Sequence, residues 1–203
     1  MNTLSTILLS NLRNKELSRS MFREYANQLA HCLAQQAADF IATQKTTITT
    51  PFGTASGLSF QKQIVLVPIL RSGEALLGPF MTYFPGAAVG FVGLRRDEKT
   101  AIAKLYYSNI PKLTGKEQII MLDPMIATGG SATATLNILL TMGMQQEQIL
   151  FVAVIAAQEG LDAVQKAFPK IKIIVAGIDK ELNATKFIVP GLGDFGDRYF
   201  GTE

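Results

Sequence analysis

The sequence predicts an α/β fold, a doubly wound, mostly parallel sheet flanked by helices, with a single domain over residues 1–203. Three observations predict it. Apolar runs of strand length at 63–70, 87–94, 119–122, 148–157 and 171–178 are near-continuous, as strands buried on both faces require. Helically spaced segments separate most of them, which implies right-handed crossovers between parallel strands. No linker, repeat or low-complexity stretch interrupts the chain.

Taken in order, Phe22, Tyr25, Leu29, Leu33, Ala37 and Ile41 recur at three- and four-residue steps and predict a long helix over 16–43. Its apolar stripe suits a core or a subunit contact. Threonine-rich 46–50 predicts a short strand, and 51–57 a turn or loop. The strand at 63–70 runs into Arg71-Ser72-Gly73, and 74–84 returns to helical spacing. The strand at 87–94 ends in Arg95-Arg96-Asp97-Glu98; residues 104–110, with Tyr106 and Tyr107, suggest part of a hairpin. The strand at 119–122 is closed by Asp123-Pro124, and a Gly129-Gly130 turn leads to a helix over 132–140. A strand at 148–157, a helix at 161–168 and a strand at 171–178 follow. From 183 onward no helix or strand is predicted. A polar, glycine-rich stretch of that length is either a frayed tail or an ordered loop serving a site.

Composition narrows the function. With 48% hydrophobic and 17% charged residues the chain is globular. One cysteine, Cys32, excludes an internal disulfide and a cysteine metal cluster, and makes a reduced, cytoplasmic setting the default. One histidine, His31, rules out a multi-histidine metal site. The net charge of +3, without a lysine or arginine run, does not demand nucleic acid. Arginines gathered for a small polyanion explain it equally well. The first ten residues lack a basic leader, and the apolar run at 7–9 is too short for a bilayer, so no membrane partner is expected. Asn183-Ala-Thr185 matches a glycosylation sequon by chance.

The chemistry concentrates at 118–132. A strand, a small-residue loop and a helix start aim backbone N–H groups and the positive helix end at an anion. Thr128 and Ser131 add hydroxyl donors, and Asp123, at the carboxyl end of its strand, suits sugar hydroxyls. A phosphate beside a ribose fits this arrangement. Arg71, Arg96 and Asp123 all lie just past strand carboxyl ends, where open α/β sheets bind ligands. Plainer readings stay open: a simple turn at Gly129-Gly130, a turn start at Asp123, surface ion pairs at Arg71 and Arg96, and turn formers at Asp194 and Asp197. No lysine stands in the loop and no Gly-x-x-x-x-Gly-Lys-Ser/Thr pattern is present, which makes a nucleoside-triphosphatase P-loop the weaker alternative. Gly191-x-Gly193-x-x-Gly196 nominally matches the dinucleotide fingerprint, but too few residues remain for the crossover it needs. Asp194-Phe195-Gly196 mimics a kinase signature without its companions.

Residues 123–131, Asp-Pro-Met-Ile-Ala-Thr-Gly-Gly-Ser, resemble the phosphoribosyl-pyrophosphate (PRPP) loop of uracil phosphoribosyltransferases. Residues 68–73 (Pro-Ile-Leu-Arg-Ser-Gly), 93–97 (Gly-Leu-Arg-Arg-Asp), 188–202, which include Pro190-Gly-Leu-Gly-Asp194, and Phe22-Arg23-Glu24 agree in order, so the likeness covers nearly the whole chain. It implies a type I phosphoribosyltransferase fold with a small C-terminal hood and a β-hairpin lid at 97–110. It also implies transfer of ribose 5-phosphate from PRPP to uracil, giving UMP and pyrophosphate in pyrimidine salvage. The 5'-phosphate would sit on Ala127, Thr128, Gly129, Gly130 and Ser131, with Pro124, Met125 and Ile126 completing the PRPP loop. Asp123 would hold the ribose hydroxyls, and Arg71 and Arg96 the pyrophosphate. Ile188, Gly193, Asp194 and Phe195 would contact uracil, with Asp194 also near PRPP. Arg71 and Asp194 are the catalytic candidates, Asp194 by helping N1 lose its proton. Mg²⁺ would enter mainly through PRPP oxygens and water, which needs no compact ligand cluster. A homodimer or larger assembly and a GTP effector are further implications.

Uracil offers two carbonyl acceptors flanking an N3–H donor, so a glycine-rich backbone can read it with N–H groups and a C=O. Cytosine would leave buried groups unpaired, at roughly 1–3 kcal/mol each. Three positions depart from the family pattern: Ser72 for alanine, Phe187 for tyrosine and Phe195 for alanine. These bear on the base more than on PRPP. Two rival readings remain, a phosphoribosyltransferase for another base and a non-catalytic nucleotide sensor binding RNA or a protein.

Overall fold

The computed structural model describes residues 3–96 and 103–202, with the side chains of Arg96 and Ala103 left aside. It opens with α1 (Thr3–Leu12), a helix not predicted from the sequence, and α2 (Arg19–Ala38). α2 starts at Ser18, whose Oγ accepts from the Met21 N–H at 3.3 Å, a serine N-cap. The helix is shorter at both ends than the 16–43 expected. Phe22, Ala26, Leu29, Ala30, Leu33, Ala34 and Ala37 form one buried face, so the stripe packs into the chain's own core.

β1 (Thr43–Thr50) and β2 (Gly53–Phe60) form an antiparallel hairpin. The expected loop over 51–57 is thus confined to Pro51 and Phe52, with most of the stretch in β2. Both strands are largely exposed, so neither shows the apolar alternation that would mark it. The turn is held by Thr50, whose Oγ1 donates to the Gly53 carbonyl at 3.1 Å and accepts from the Phe52 N–H at 3.3 Å.

Next come β3 (Ile64–Leu70), α3 (Glu74–Tyr83), β4 (Ala88–Val89), β5 (Phe91–Arg96), β6 (Ala103–Asn109), β7 (Gln118–Leu122), β8 (Met125–Ile126) and α4 (Gly130–Thr141). β9 (Ile149–Ala153), β10 (Ile155–Ala157), α5 (Gln158–Ala167), β11 (Lys172–Val175) and β12 (Ile178–Asp179) follow. The main sheet runs β11-β9-β7-β3-β5-β6, with β4 beside β3. Every pairing is parallel except β5 with β6, the hairpin expected around 104–110. Residues 97–102 of the expected lid lie outside the described residues.

Alternate side chains of the central strands feed two cores. Leu66, Ile120, Leu122, Leu150 and Val152 pack with α1, α2 and α3 on one face. Val65, Val67, Ile119, Met121 and Phe151 pack with α4 and α5 on the other. This is the doubly wound arrangement. Each wholly buried leucine or phenylalanine contributes roughly 1.5–3 kcal/mol.

Two expected strands are interrupted. The 148–157 run divides at Val154, where the N–H groups of Val154 and Ile155 both turn to the Pro124 carbonyl at 2.9 and 3.0 Å. The 171–178 run divides at Ala176 and Gly177. β10 pairs with β8 and β12 in a separate three-stranded parallel sheet that continues past the carboxyl ends of β7 and β9. A continuous apolar run reports burial, not the peptide at which a ladder changes partner.

The C-terminal stretch is ordered, contrary to the absence of predicted elements. β13 (Glu181–Leu182) pairs with β14 (Ile188–Val189), and α6 (Phe195–Phe200) follows a glycine loop. The elements are too short to carry a periodic signal, and residues distant in sequence also hold them: the Leu182 N–H donates to Glu159 and Phe195 packs on Phe22.

Candidate active site

The loop from β7 to α4 is shaped by close approach. Gly129 has φ +79°, and a Cβ there would stand 2.8 Å from Val164 Cγ2 and 2.9 Å from the Gly160 carbonyl oxygen. A Cβ on Gly160 would in turn overlap the Ala127 carbonyl oxygen. Two glycines therefore let the loop rest on α5. α4 begins without a side-chain cap and without an acidic residue in its first turn. Its leading N–H groups and positive end face whatever fills the adjoining cavity.

That cavity, about 680 Å³, opens beyond the carboxyl ends of β3 and β7. The loop supplies Asp123 and residues 125–132; Ile69, Leu70, Arg71 and Ser72 come from the end of β3; Leu94, Arg95 and Tyr106 come from the hairpin; Asp194 and Gly196 come from the terminal segment. Thr128 and Asp194 share one cavity although far apart in the chain. Arg71 is largely exposed, with its Nη2 at 3.8 Å from Asp197 Oδ1, a weak pair in solvent. Pro124, Ile188, Gly193 and Phe195 are not among the lining residues. Gly193 directly precedes Asp194, Ile188 is buried in the β13–β14 pair, and Phe195 is wholly buried against Phe22 and Tyr199 at ring-centroid distances of 5.3 and 5.8 Å. The Arg96 side chain falls outside the described residues. Ser72, Arg95, Tyr106 and Gly196 line the cavity without having been singled out as ligands. Ser72, Arg95 and Tyr106 each stood in or beside a quoted motif, but only the folded end of β3 and the β5–β6 hairpin show where they face.

Asp123 dominates the electrostatics. Burial strips its carboxylate of water and pushes its pKa up to about 7. Hydrogen bonds oppose this, from the Met125 N–H at 3.4 Å and from the Ser72 hydroxyl at 3.3 Å, both to Oδ1, while the nearby Asp194 carboxylate adds to the rise. Asp194 caps α6, its Oδ1 accepting from the Asp197 N–H at 2.9 Å. The cavity is thus lined both by the loop and first turn of α4 and by two carboxylates, a pattern that suits a ligand with both a phosphate and hydroxyl or N–H donors.

The model of the family described as uracil phosphoribosyltransferase matches residues 2–202. The chain belongs to the uracil phosphoribosyltransferase family. A curated relative from Dictyostelium discoideum, named uracil phosphoribosyltransferase, is 36% identical over 97% of this chain and 91% of its own length. A solved protein from Aquifex aeolicus superposes with TM-score 0.92 at 33% identity, covering 100% of this chain and 97% of that one. The fold is shared more widely: a hypoxanthine phosphoribosyltransferase from Trypanosoma cruzi superposes with TM-score 0.51 at 11% identity over 79% of this chain and 76% of its own. Of the segments that resembled the family's motifs, 68–73, 93–97, 123–131 and 188–202 each contribute residues to the lining of this cavity, whereas Phe22-Arg23-Glu24, Pro124, Ile188, Gly193 and Phe195 do not, and the Arg96 side chain is not described.

Proposed function

We infer that the protein transfers ribose 5-phosphate from PRPP to uracil, forming UMP and releasing pyrophosphate, within one domain. The supporting observation is the single cavity that joins the Thr128–Gly130 amides, buried Asp123 and the Asp194–Gly196 segment. In this reading the 5'-phosphate rests on the amides and hydroxyls of residues 127–131, at the positive end of α4. Asp123 accepts from the ribose hydroxyls. Arg71 and Arg96 bind the pyrophosphate. The backbone around Gly193 to Phe195, with Ile188 behind it, reads the uracil edge, so the buried Phe195 ring contributes packing and its main chain the contact.

The bond from C1' to the pyrophosphate oxygen breaks, and a bond from C1' to uracil N1 forms. The ribose passes through a cation-like state, so rate depends on holding the leaving group and excluding water. Uracil N1 gives up its proton, for which Asp194 is the positioned acceptor. An Asp194→Asn variant with full turnover at neutral pH would end that assignment. Among the described residues no three His, Cys, Asp or Glu side chains gather where they could hold a metal. Two cavity carboxylates, Asp123 and Asp194, with substrate oxygens and water suit an oxygen-ligated Mg²⁺. When bound, that ion supplies positive charge to the pyrophosphate.

A homo-oligomer accords with the exposed apolar residues of the β1–β2 hairpin rather than with α2, whose apolar face is buried. No helix among the described residues is long and apolar enough to cross a membrane, and a cytoplasmic setting fits the free thiol and the phosphorylated substrate. A GTP effector is tested by adding it to the assay.

Labelled uracil incubated with PRPP and Mg²⁺ should yield labelled UMP, and Arg71→Ala should lower kcat/KM for PRPP at least about 100-fold, the loss expected of a charge clamp. Formation of a nucleotide from cytosine, hypoxanthine or xanthine but none from uracil would overturn the reading.

A further inference from the structure

The glycine loop at 191–193 is gripped from behind by two arginines that the catalytic scheme does not use. Arg13, just past α1, forms a fork with Asp179 166 residues away: Nη2 donates to Oδ1 at 2.6 Å and Nη1 to Oδ2 at 2.7 Å. Nη1 also donates to the Gly191 carbonyl at 2.8 Å, and the Gly191 N–H donates to Asp179 Oδ2 at 2.8 Å. The ring of Arg13, Asp179 and Gly191 is closed and largely shielded from water. Arg198, on α6, holds the next carbonyl: Nη1 donates to Leu192 O at 2.6 Å and to Leu12 O at 2.6 Å, and Nη2 donates to Asn14 O at 2.7 Å. Its guanidinium lies 4.3 Å from the Phe22 ring centroid, which fixes its plane.

A trans peptide is rigid and planar, and its N–H points opposite to its C=O. Among the described residues the cis bonds are Leu70–Arg71 and Val189–Pro190, so the peptides after Gly191 and Leu192 are trans. Holding the Gly191 carbonyl therefore aims the Leu192 N–H, and holding the Leu192 carbonyl aims the Gly193 N–H, away from the N-terminal helices. Gly191 and Gly193 have φ +61° and +80°, and a Cβ at Gly191 would overlap the Ile188 carbonyl oxygen, so the loop has few other ways to run.

We propose that Arg198, and Arg13 together with Asp179, are positioning residues for base recognition, fixing the amide direction of the loop that reads uracil from outside the cavity. This rests on the uracil reading above. It makes the turn between α1 and α2 part of the specificity apparatus, since Leu12 and Asn14 share the Arg198 guanidinium with Leu192. The bidentate geometry matters because a fork fixes direction, whereas a single ammonium fixes only distance.

The test is steady-state kinetics with each substrate varied at saturating concentration of the other. Arg198→Met and Arg13→Met should raise KM for uracil about tenfold or more, leave KM for PRPP within about twofold, and lower the uracil-over-cytosine preference. Asp179→Asn should move in the same direction, and Arg198→Lys should recover part of the loss. A purely structural role would lower thermal stability and the active fraction while leaving KM for uracil and the base preference unchanged. That result, in variants that retain the parental circular dichroism, overturns the proposal. Should the methionine variants fail to fold, Arg13→Lys and Arg198→Lys decide it: parental KM for uracil in both overturns it, and a selective rise supports it. A parent enzyme that makes no UMP removes the uracil reading and this inference with it; a parent that turns over uracil beside unaffected variants removes only the inference.

Discussion

Asp123 carries both a stability and a binding consequence. Its folded-state pKa of about 7 lies above the ordinary 3.8, so the folded protein binds this proton more tightly than the unfolded chain. The associated stability is complete below about pH 3.8 and is lost as pH rises toward 7, where the buried group must ionise. The parent should therefore lose stability relative to Asp123→Asn across that window, by on the order of 3 kcal/mol. Urea melts of both proteins at several pH values measure this, and parallel curves would contradict the burial argument. Binding runs the other way. The ionised carboxylate is the stronger acceptor for ribose hydroxyls, so KM for PRPP should fall as pH rises through 7 in the parent and stay flatter in the variant. At Gly160, an added methyl would ordinarily favour a helix by about 1 kcal/mol. Here it meets the Ala127 carbonyl, so Gly160→Ala should instead destabilise by roughly 1–3 kcal/mol and raise KM for PRPP. Chemical denaturation and PRPP kinetics on that one variant check both effects.

At the scale of elements, the β7–α4 unit was legible because strand, loop and helix are contiguous and each has its own local signal. α6 was not. Its six residues bury Phe195 and Gly196, and its position depends on Asp194 as cap and on Arg198 reaching back to Leu12 and Asn14. The fate of Phe195 illustrates the difference. In sequence it stood within the uracil segment, and its ring had to find space. The fold gives it space between Phe22 and Tyr199, in the core. Phe195→Ala should consequently lose about 3–5 kcal/mol, whereas a ring projecting into an open binding cavity would cost far less to remove. Thermal and urea melts separate these outcomes. The split of the runs at 148–157 and 171–178 has a related origin. Apolar residues continue through Val154 and Ala176, while the ladder passes to the small sheet that brings β12, and with it Asp179, up to the glycine loop.

For the whole molecule, the exposed hairpin deserves a partner. Leu58 and Phe60 lie two residues apart on one face of β2 and, with Tyr83, line a second cavity of about 570 Å³ bounded mainly by apolar side chains. Leu58 is 70% exposed, and an exposed apolar face of this kind favours self-association. Sedimentation should give a multiple of the 22.0 kDa chain mass, and Leu58→Lys should shift it toward the monomer; a monomeric parent would remove the idea. The amino-acid order alone determined the alternation of buried strands and helices, the placement of Arg71 and Asp123 past strand ends, and the family motifs, because each depends on residues within one or two turns of each other. Tertiary structure decided which side chains share the cavity, that the apolar face of α2 is internal, and that arginines 13 and 198 hold the terminal loop. Those outcomes depend on contacts such as Arg13 to Asp179, across 166 residues, which no local periodicity encodes.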